Sequence, residues 1–207
     1  MARPKGATNA DFELKRQQLL GRLLTGLIES DGPPSLRGLA QAAGVSVPTL
    51  RHYFGDREAV VAAVFAFCRD HAADELRIAA TPEGPVDKSI AALLRHAVAG
   101  LEYGGLGHLN ELGLREGLAN AATATAYLSD VLDPTLQAFA TRIASHVDSG
   151  ELRALTPRTA AMQLLAPLLL AFLHQHSLGG AATNPIDLDT LIEDIATTFV
   201  RGNRSSP

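Results

Sequence analysis

The sequence predicts an all-α protein of about nine helices, with a three-helix N-terminal part carrying a helix-turn-helix and a larger C-terminal helical part. Three observations lead there. Residues 35–54, SLRGLAQAAGVSVPTLRHYF, read as two short helices joined by a glycine turn. Elsewhere apolar residues recur at helical spacing, as at Leu20, Leu23, Leu24, Leu27 and Ile28. No stretch alternates apolar and polar residues in the manner of a strand.

The elements follow in order. A first helix is expected over 11–29, ended by Asp31-Gly32-Pro33-Pro34. Ser35 is placed to cap the next helix, with Leu36, Leu39 and Ala40 facing inward. Gly44 suits a left-handed turn. Ser46 caps a second short helix, with Pro48 in its first turn, where a missing N–H costs little. Leu50 and Phe54, four apart, make its buried stripe, leaving Val47, Thr49, Arg51, His52 and Tyr53 largely outside. Asp56 caps a fourth helix expected to run to about residue 80, burying Val60, Val61, Val64, Phe65 and Cys68. Thr81-Pro82-Glu83-Gly84-Pro85 breaks it.

The remainder is also helical. Helices are expected over 87–103, over 108–129 in one or two pieces, and over 133–149, with glycine breaks at Gly104, Gly105 and Gly107. Thr156-Pro157 opens a long helix to about residue 177, which stops at Gly179-Gly180. The last helix spans 187–201. Residues 160–173 are apolar nearly all round apart from Gln163, so the outer side of that helix needs a partner. With the last helix it forms an expected dimer interface of four helices, two from each protomer, carried by Leu169, Phe172, Leu188, Leu191, Ile192, Ile195 and Phe199. The domains are read as 1–58 and 59–207.

Composition bounds the function. At 46% hydrophobic residues, 207 residues can build a core without disulfides, and the single cysteine, Cys68, excludes an internal disulfide framework and fits a reducing cytoplasm. The polar N-terminus lacks the apolar stretch of a secretory signal, and the longest apolar run, 164–173, is too short for a bilayer, so no membrane role is expected. The net charge of −4 is unevenly spread. Residues 1–58 hold eight basic and six acidic residues, +2, while the remainder is −6. That split suits a polyanion-facing N-terminal part and an acidic body that phosphates repel.

The run Ala43-Gly44-Val45-Ser46-x-Pro48-Thr49-Leu50-x-His52-x-Phe54, followed by Arg57-Glu58, resembles the DNA-binding segment of tetracycline-repressor (TetR) family regulators. The resemblance is strong over about 11–65 and rests beyond that on helix number and order. It implies a DNA interface of Arg37, Ser46, Val47, Pro48, Thr49, Arg51, His52, Tyr53 and Arg57. Arg51 stands where the family usually has tyrosine, and Arg57 where it usually has lysine, keeping a positive charge near the phosphates. Arg3 and Lys5 precede the first helix, as a minor-groove arm or a disordered tail.

The resemblance also implies a homodimer on an inverted-repeat operator in double-stranded DNA, and a C-terminal ligand-binding and dimerisation domain. Its ligand candidates are His96, Tyr103, His108, Glu111, Tyr127, Met162 and Gln163. An aromatic content of 5% without tryptophan gives no stacking cage for a flat cation, which favours an apolar or acyl-like effector. No cofactor and no metal are expected: His174 and His176 lie on opposite sides of a helix, and no Cys/His spacing suits zinc. No catalytic constellation stands out. The expectation is a cytoplasmic, non-enzymatic transcriptional regulator, a repressor released by its effector. The alternatives are a helical small-molecule enzyme or carrier with a structural helix-turn-helix, and a regulator with no ligand.

Overall fold

A computed structural model describes residues 5–30 and 32–205, with side chains from residue 10 onward. Arg3, the side chain of Lys5, and Asp31, Ser206 and Pro207 lie outside the described residues. In chain order the helices are α1 (Lys5–Ile28), α2 (Leu36–Ala42), α3 (Val47–Phe54), α4 (Arg57–His71), α5 (Ala73–Ala80), α6 (Val86–Glu102), α7 (Leu106–Ala119), α8 (Ala121–Tyr127), α9 (Asp133–Asp148), α10 (Pro157–Phe172), α11 (Gly180–Thr183) and α12 (Leu188–Asn203). Single π-helical turns occupy Leu128–Leu132 and Leu173–Ser177. The described residues hold no strand beyond one isolated bridge between Leu152 and Arg204, and no helix long and apolar enough to cross a membrane.

The fold is the all-α class that the periodicity predicts, with differences of detail: α1 begins at Lys5 rather than near residue 11, so Lys5 lies within it, and the short α11 follows Gly179. The helix expected over 56–80 is interrupted at Ala72, whose backbone leaves the helical region (φ −89°, ψ 3°), giving α4 and α5. The long penultimate helix ends in the π turn, where Gln175 accepts a hydrogen bond from the Ile186 N–H and donates to the Asn184 carbonyl, holding the loop that leads to α12.

The chain forms two compact units. The first is Met1–His71 with Leu112–Val131, the second Ala72–Glu111 with Leu132–Pro207. The sequence reading places a boundary after residue 58, whereas the first unit runs on to His71 and adds a later segment. The physical reason lies on α4. Val60, Val61, Val64 and Phe65 are fully buried, and α8 packs against this helix. Tyr127 tilts against Phe65 with ring centroids 5.9 Å apart. Its ring fits because residue 113 is glycine: a Cβ there would stand 2.1 Å from the tyrosine ring.

The second unit packs α5, α6, α9, α10 and α12 around Ile90, Leu93, Leu94, Phe139, Ile143 and Leu168. Two polar devices close it. Buried Arg142 donates to the carbonyls of Ile78 and Ala79 at the end of α5 and to that of Ser89, supplying donors for acceptors that a helix terminus leaves unmatched. Glu151 accepts from the Val86 N–H at the start of α6 (2.9 Å) and lies 2.7 Å from Nδ1 of buried His146.

The His146 hydrogen bond, then the Val86 N–H, hold the Glu151 carboxyl below the usual carboxylate range. A depressed folded-state pKa stabilises the protein above the unfolded-state pKa, and that stabilisation disappears as pH falls through the folded value. Glu151→Gln is therefore expected to be less stable than wild type at neutral pH, with the gap closing as acid protonates the wild-type carboxylate. Urea unfolding midpoints from pH 7 down to pH 3 check this; a gap constant with pH contradicts it.

Candidate nucleic-acid interface

The helix-turn-helix is built from local caps. The Ser35 hydroxyl accepts from the Gly38 N–H, and α2 ends where Gly44 takes a left-handed φ of 68°. The Val45 N–H returns to the Ala40 carbonyl at 3.0 Å, closing the turn. The Ser46 hydroxyl then accepts from the Thr49 N–H at 3.2 Å and meets the Thr49 hydroxyl at 2.8 Å, starting α3. Arg22 of α1 donates to the Ala43 carbonyl at 3.2 Å, satisfying the end of α2 from outside the motif.

Leu50 is fully buried, as its spacing predicts, and Phe54 is half-buried beneath the Arg16 guanidinium, 5.4 Å from the ring centre. Pro48, Arg51 and His52 stand exposed on the other side of α3, with Val47 and Thr49 half-buried at its start. Arg37 of α2 is exposed. Arg37 and Arg51 make no hydrogen bond or ion pair among the described residues, and both side chains face solvent. Tyr53 is half-buried, its ring stacked on Phe12 of α1 with centroids 4.6 Å apart, and His52 lies edge-on to both rings. That aromatic cluster fixes the rings of α3 against α1, a contact the motif's own residues do not announce.

Arg57 is turned inward. Its Nε donates to the Pro34 carbonyl at 2.7 Å, and its Nη2 lies 2.9 and 2.8 Å from the two carboxylate oxygens of Glu116, whose side chain is 1% exposed. The sequence reading gives Arg57 to the phosphates; the structure gives its guanidinium protein acceptors. Nothing local to the motif signals Glu116, which is 59 positions away.

The ligand candidates are not gathered. Tyr127 belongs to the core of the first unit. In the second, His96 lies 3.3 Å from the Glu75 carbonyl, His108 stands 3.9 Å from Glu111 and edge-on to Phe172, and Tyr103 is 89% exposed. Met162 and Gln163 are exposed on α10. Two open grooves of about 410 Å³ each flank α12, one against α10 and one against α6. Of the seven candidates, Gln163 alone lines either groove.

The dimer candidates divide. Phe172 of α10 and Ile192 and Phe199 of α12 are buried in the core of the second unit, because both helices spend part of their apolar surface on their own protomer. Leu169, Leu188, Leu191 and Ile195 are half-buried. The outward row of α10 is instead Met162, Gln163, Ala166 and Leu170, at helical spacing, with Leu170 65% exposed. Sequence reasoning passes over Leu170 because a helix apolar nearly all round does not reveal which side faces out.

No protein-family model matches the chain, and the search of curated proteins finds no match. Solved structures do match. A Mesorhizobium loti protein assigned to the TetR family of transcriptional regulators is 15% identical, with a TM-score of 0.71 over 93% of this chain and 98% of that one. The transcriptional regulator FadR from Bacillus subtilis, solved in complex with stearoyl-CoA, is 16% identical, with a TM-score of 0.69 over 89% and 97%. The fatty acid degradation regulator FadR from Bacillus halodurans is 18% identical, with a TM-score of 0.66 over 90% and 94%. The chain shares the fold of these regulators.

The caps make one expectation measurable. Ser46→Ala should cost about 1 kcal/mol of stability, the usual worth of an N-cap, while Ser46→Asp, which keeps an acceptor oxygen, should cost less. Chemical denaturation of both variants decides it; equal losses contradict the capping role.

Proposed function

We propose that this chain is a homodimeric DNA-binding transcriptional regulator, acting in the cytoplasm as a repressor that a small, largely apolar effector releases from an inverted-repeat operator. The observation that carries this reading is the exposed, unpartnered Arg37 and Arg51 beside Pro48 and His52 on a capped helix-turn-helix. Such a helix enters the major groove with its exposed side chains towards base edges. The fold shared with TetR-family regulators supports the same reading. A helical enzyme or carrier with a structural helix-turn-helix would show no salt-dependent affinity for DNA. Binding to duplexes selected from a random-sequence pool, followed against salt concentration, separates the two, because each phosphate contact contributes about 0.9 to the logarithmic slope.

The acyl-like effector is supported by the low aromatic content and by the stearoyl-CoA bound to the Bacillus subtilis FadR. Its test is titration of long-chain acyl thioesters into the protein–DNA complex. Release of DNA without loss of the dimer supports it, and DNA binding indifferent to them favours the regulator that uses no such ligand.

Arg51 is assigned base readout. Its planar fork matches N7 and O6 of guanine, worth about 1–3 kcal/mol of discrimination at one base pair. Arg51→Ala should relax the preference at one G·C pair across a panel of operator variants. A uniform loss across the panel, with a lower salt slope, assigns Arg51 to a phosphate instead.

The second copy is placed on the outward row of α10 with the half-buried apolar residues of α12. Leu170→Glu puts an unpaired charge in that seam, at a cost of about 3–5 kcal/mol. It should give a folded monomer by light scattering and circular dichroism, because Leu170 is exposed within its own protomer. A variant that stays dimeric puts the interface elsewhere.

A further inference from the structure

The α2–α3 pair has an entry and an exit, and one guanidinium joins them. Pro34 immediately precedes Ser35, the cap of α2. Arg57 opens α4, two residues beyond Gly55, where α3 ends with φ 93°. The 2.7 Å bond from Arg57 Nε to the Pro34 carbonyl therefore closes the motif into a ring. Arg57 is held in turn by Glu116 through Nη2, while Nη1 faces Glu58 at 3.9 Å. Two of its three nitrogens, Nε and Nη2, are hydrogen-bonded to protein acceptors, and Nη1 has a carboxylate only at ion-pair distance. The neighbouring Arg115 donates to the Leu27 and Ser30 carbonyls and to the Ser30 hydroxyl. Two consecutive residues of α7 thus hold the α1–α2 connection, Arg115 directly at its start and Glu116 through Arg57 at its end.

We propose that Glu116 is a positioning residue for DNA binding: by holding Arg57 on Pro34 it fixes the entry and exit of the helix-turn-helix, so affinity depends on a side chain remote in sequence from the reading surface. The role rests on the DNA-binding reading above. It also reassigns Arg57. A guanidinium whose charge is answered by Glu116 inside the protein releases no counterion on binding, whereas a phosphate ligand does. The two roles therefore differ in salt dependence as well as in affinity.

The test uses the full-length protein and the tightest duplex selected from a random-sequence pool. Affinity is measured against salt for wild type, Arg57→Lys and Glu116→Gln, well below each melting temperature, with folding checked by circular dichroism. Lysine keeps the positive charge and binds phosphate well, but offers one nitrogen where the guanidinium uses two. Positioning predicts that both variants lose about tenfold in affinity, the worth of a charge-assisted hydrogen bond, at an unchanged salt slope. Arg57→Lys binding as wild type overturns the proposal. So does Glu116→Gln binding more tightly with a slope steeper by about 0.9, the sign of a released Arg57 finding a phosphate. Lower melting temperatures with unaltered affinity also overturn it, leaving a role in stability alone. If Glu116→Gln does not fold, Arg57→Lys decides. Wild-type protein without salt-dependent affinity for any duplex overturns the DNA-binding reading itself, and this role with it.

Discussion

A carboxylate with 1% of its side chain exposed is tolerable only if its charge is answered, and Glu116 is answered by Arg57. Desolvating two ions costs several kcal/mol each, which close contact and further hydrogen bonds must offset. Here the Nη2 contacts to both carboxylate oxygens and the bond from Nε to Pro34 supply them. Removing either partner would leave the other charge stranded, so the pair constrains every element it touches. Those elements are the start of α4, the connection before α2, and α7, and the caps of α2 and α3 operate within the frame they make.

The same economy recurs at other helix ends. A helix leaves four carbonyls unmatched at its C-terminus and four N–H groups at its N-terminus. Arg22 meets the end of α2, Arg115 the end of α1, Arg142 the end of α5, and Glu151 the start of α6. Each of the three arginines comes from a different helix and Glu151 from the loop after α9, so the bond that satisfies a terminus also ties that helix to a distant part of the chain. Local caps serve elsewhere: Ser35, Ser46, Asn120 and Asp187 accept from N–H groups of their own first turns. The local kind sets where a helix begins, and the distant kind sets what it lies against.

This distinction explains what the sequence discloses. The helix-turn-helix was legible because its signals are local: Ser35, Gly44, Ser46 and Leu50 each act within four residues, and the structure has them in those roles. The helices after residue 86 were legible from glycine and proline breaks. The inward turn of Arg57 was not, because its partner is 59 residues away and no periodicity links them. Nor was the place of Tyr127 in the first unit, which depends on Gly113 leaving room for a ring. The outer row of α10 was hidden for the opposite reason: the helix is apolar nearly all round, and one polar residue in that row, Gln163, is too little contrast to mark a face.

The first unit is assembled from two separated stretches of chain, and the order of synthesis gives that fact a further meaning. Domains emerge and fold from the N-terminus at roughly 5–20 residues per second. When residues 1–71 have left the ribosome, the face of α4 bearing Val64 and Phe65 still lacks Tyr127 and α8, and Arg57 has no Glu116. The interval is short in seconds but long in contact order, since the closing contacts span about sixty residues, and such contacts are slow to form. The nascent unit must wait with an apolar helix face open to water. A chaperone that shields such a face, or a pause in translation before residue 112, would act on this protein at that stage rather than on its finished fold.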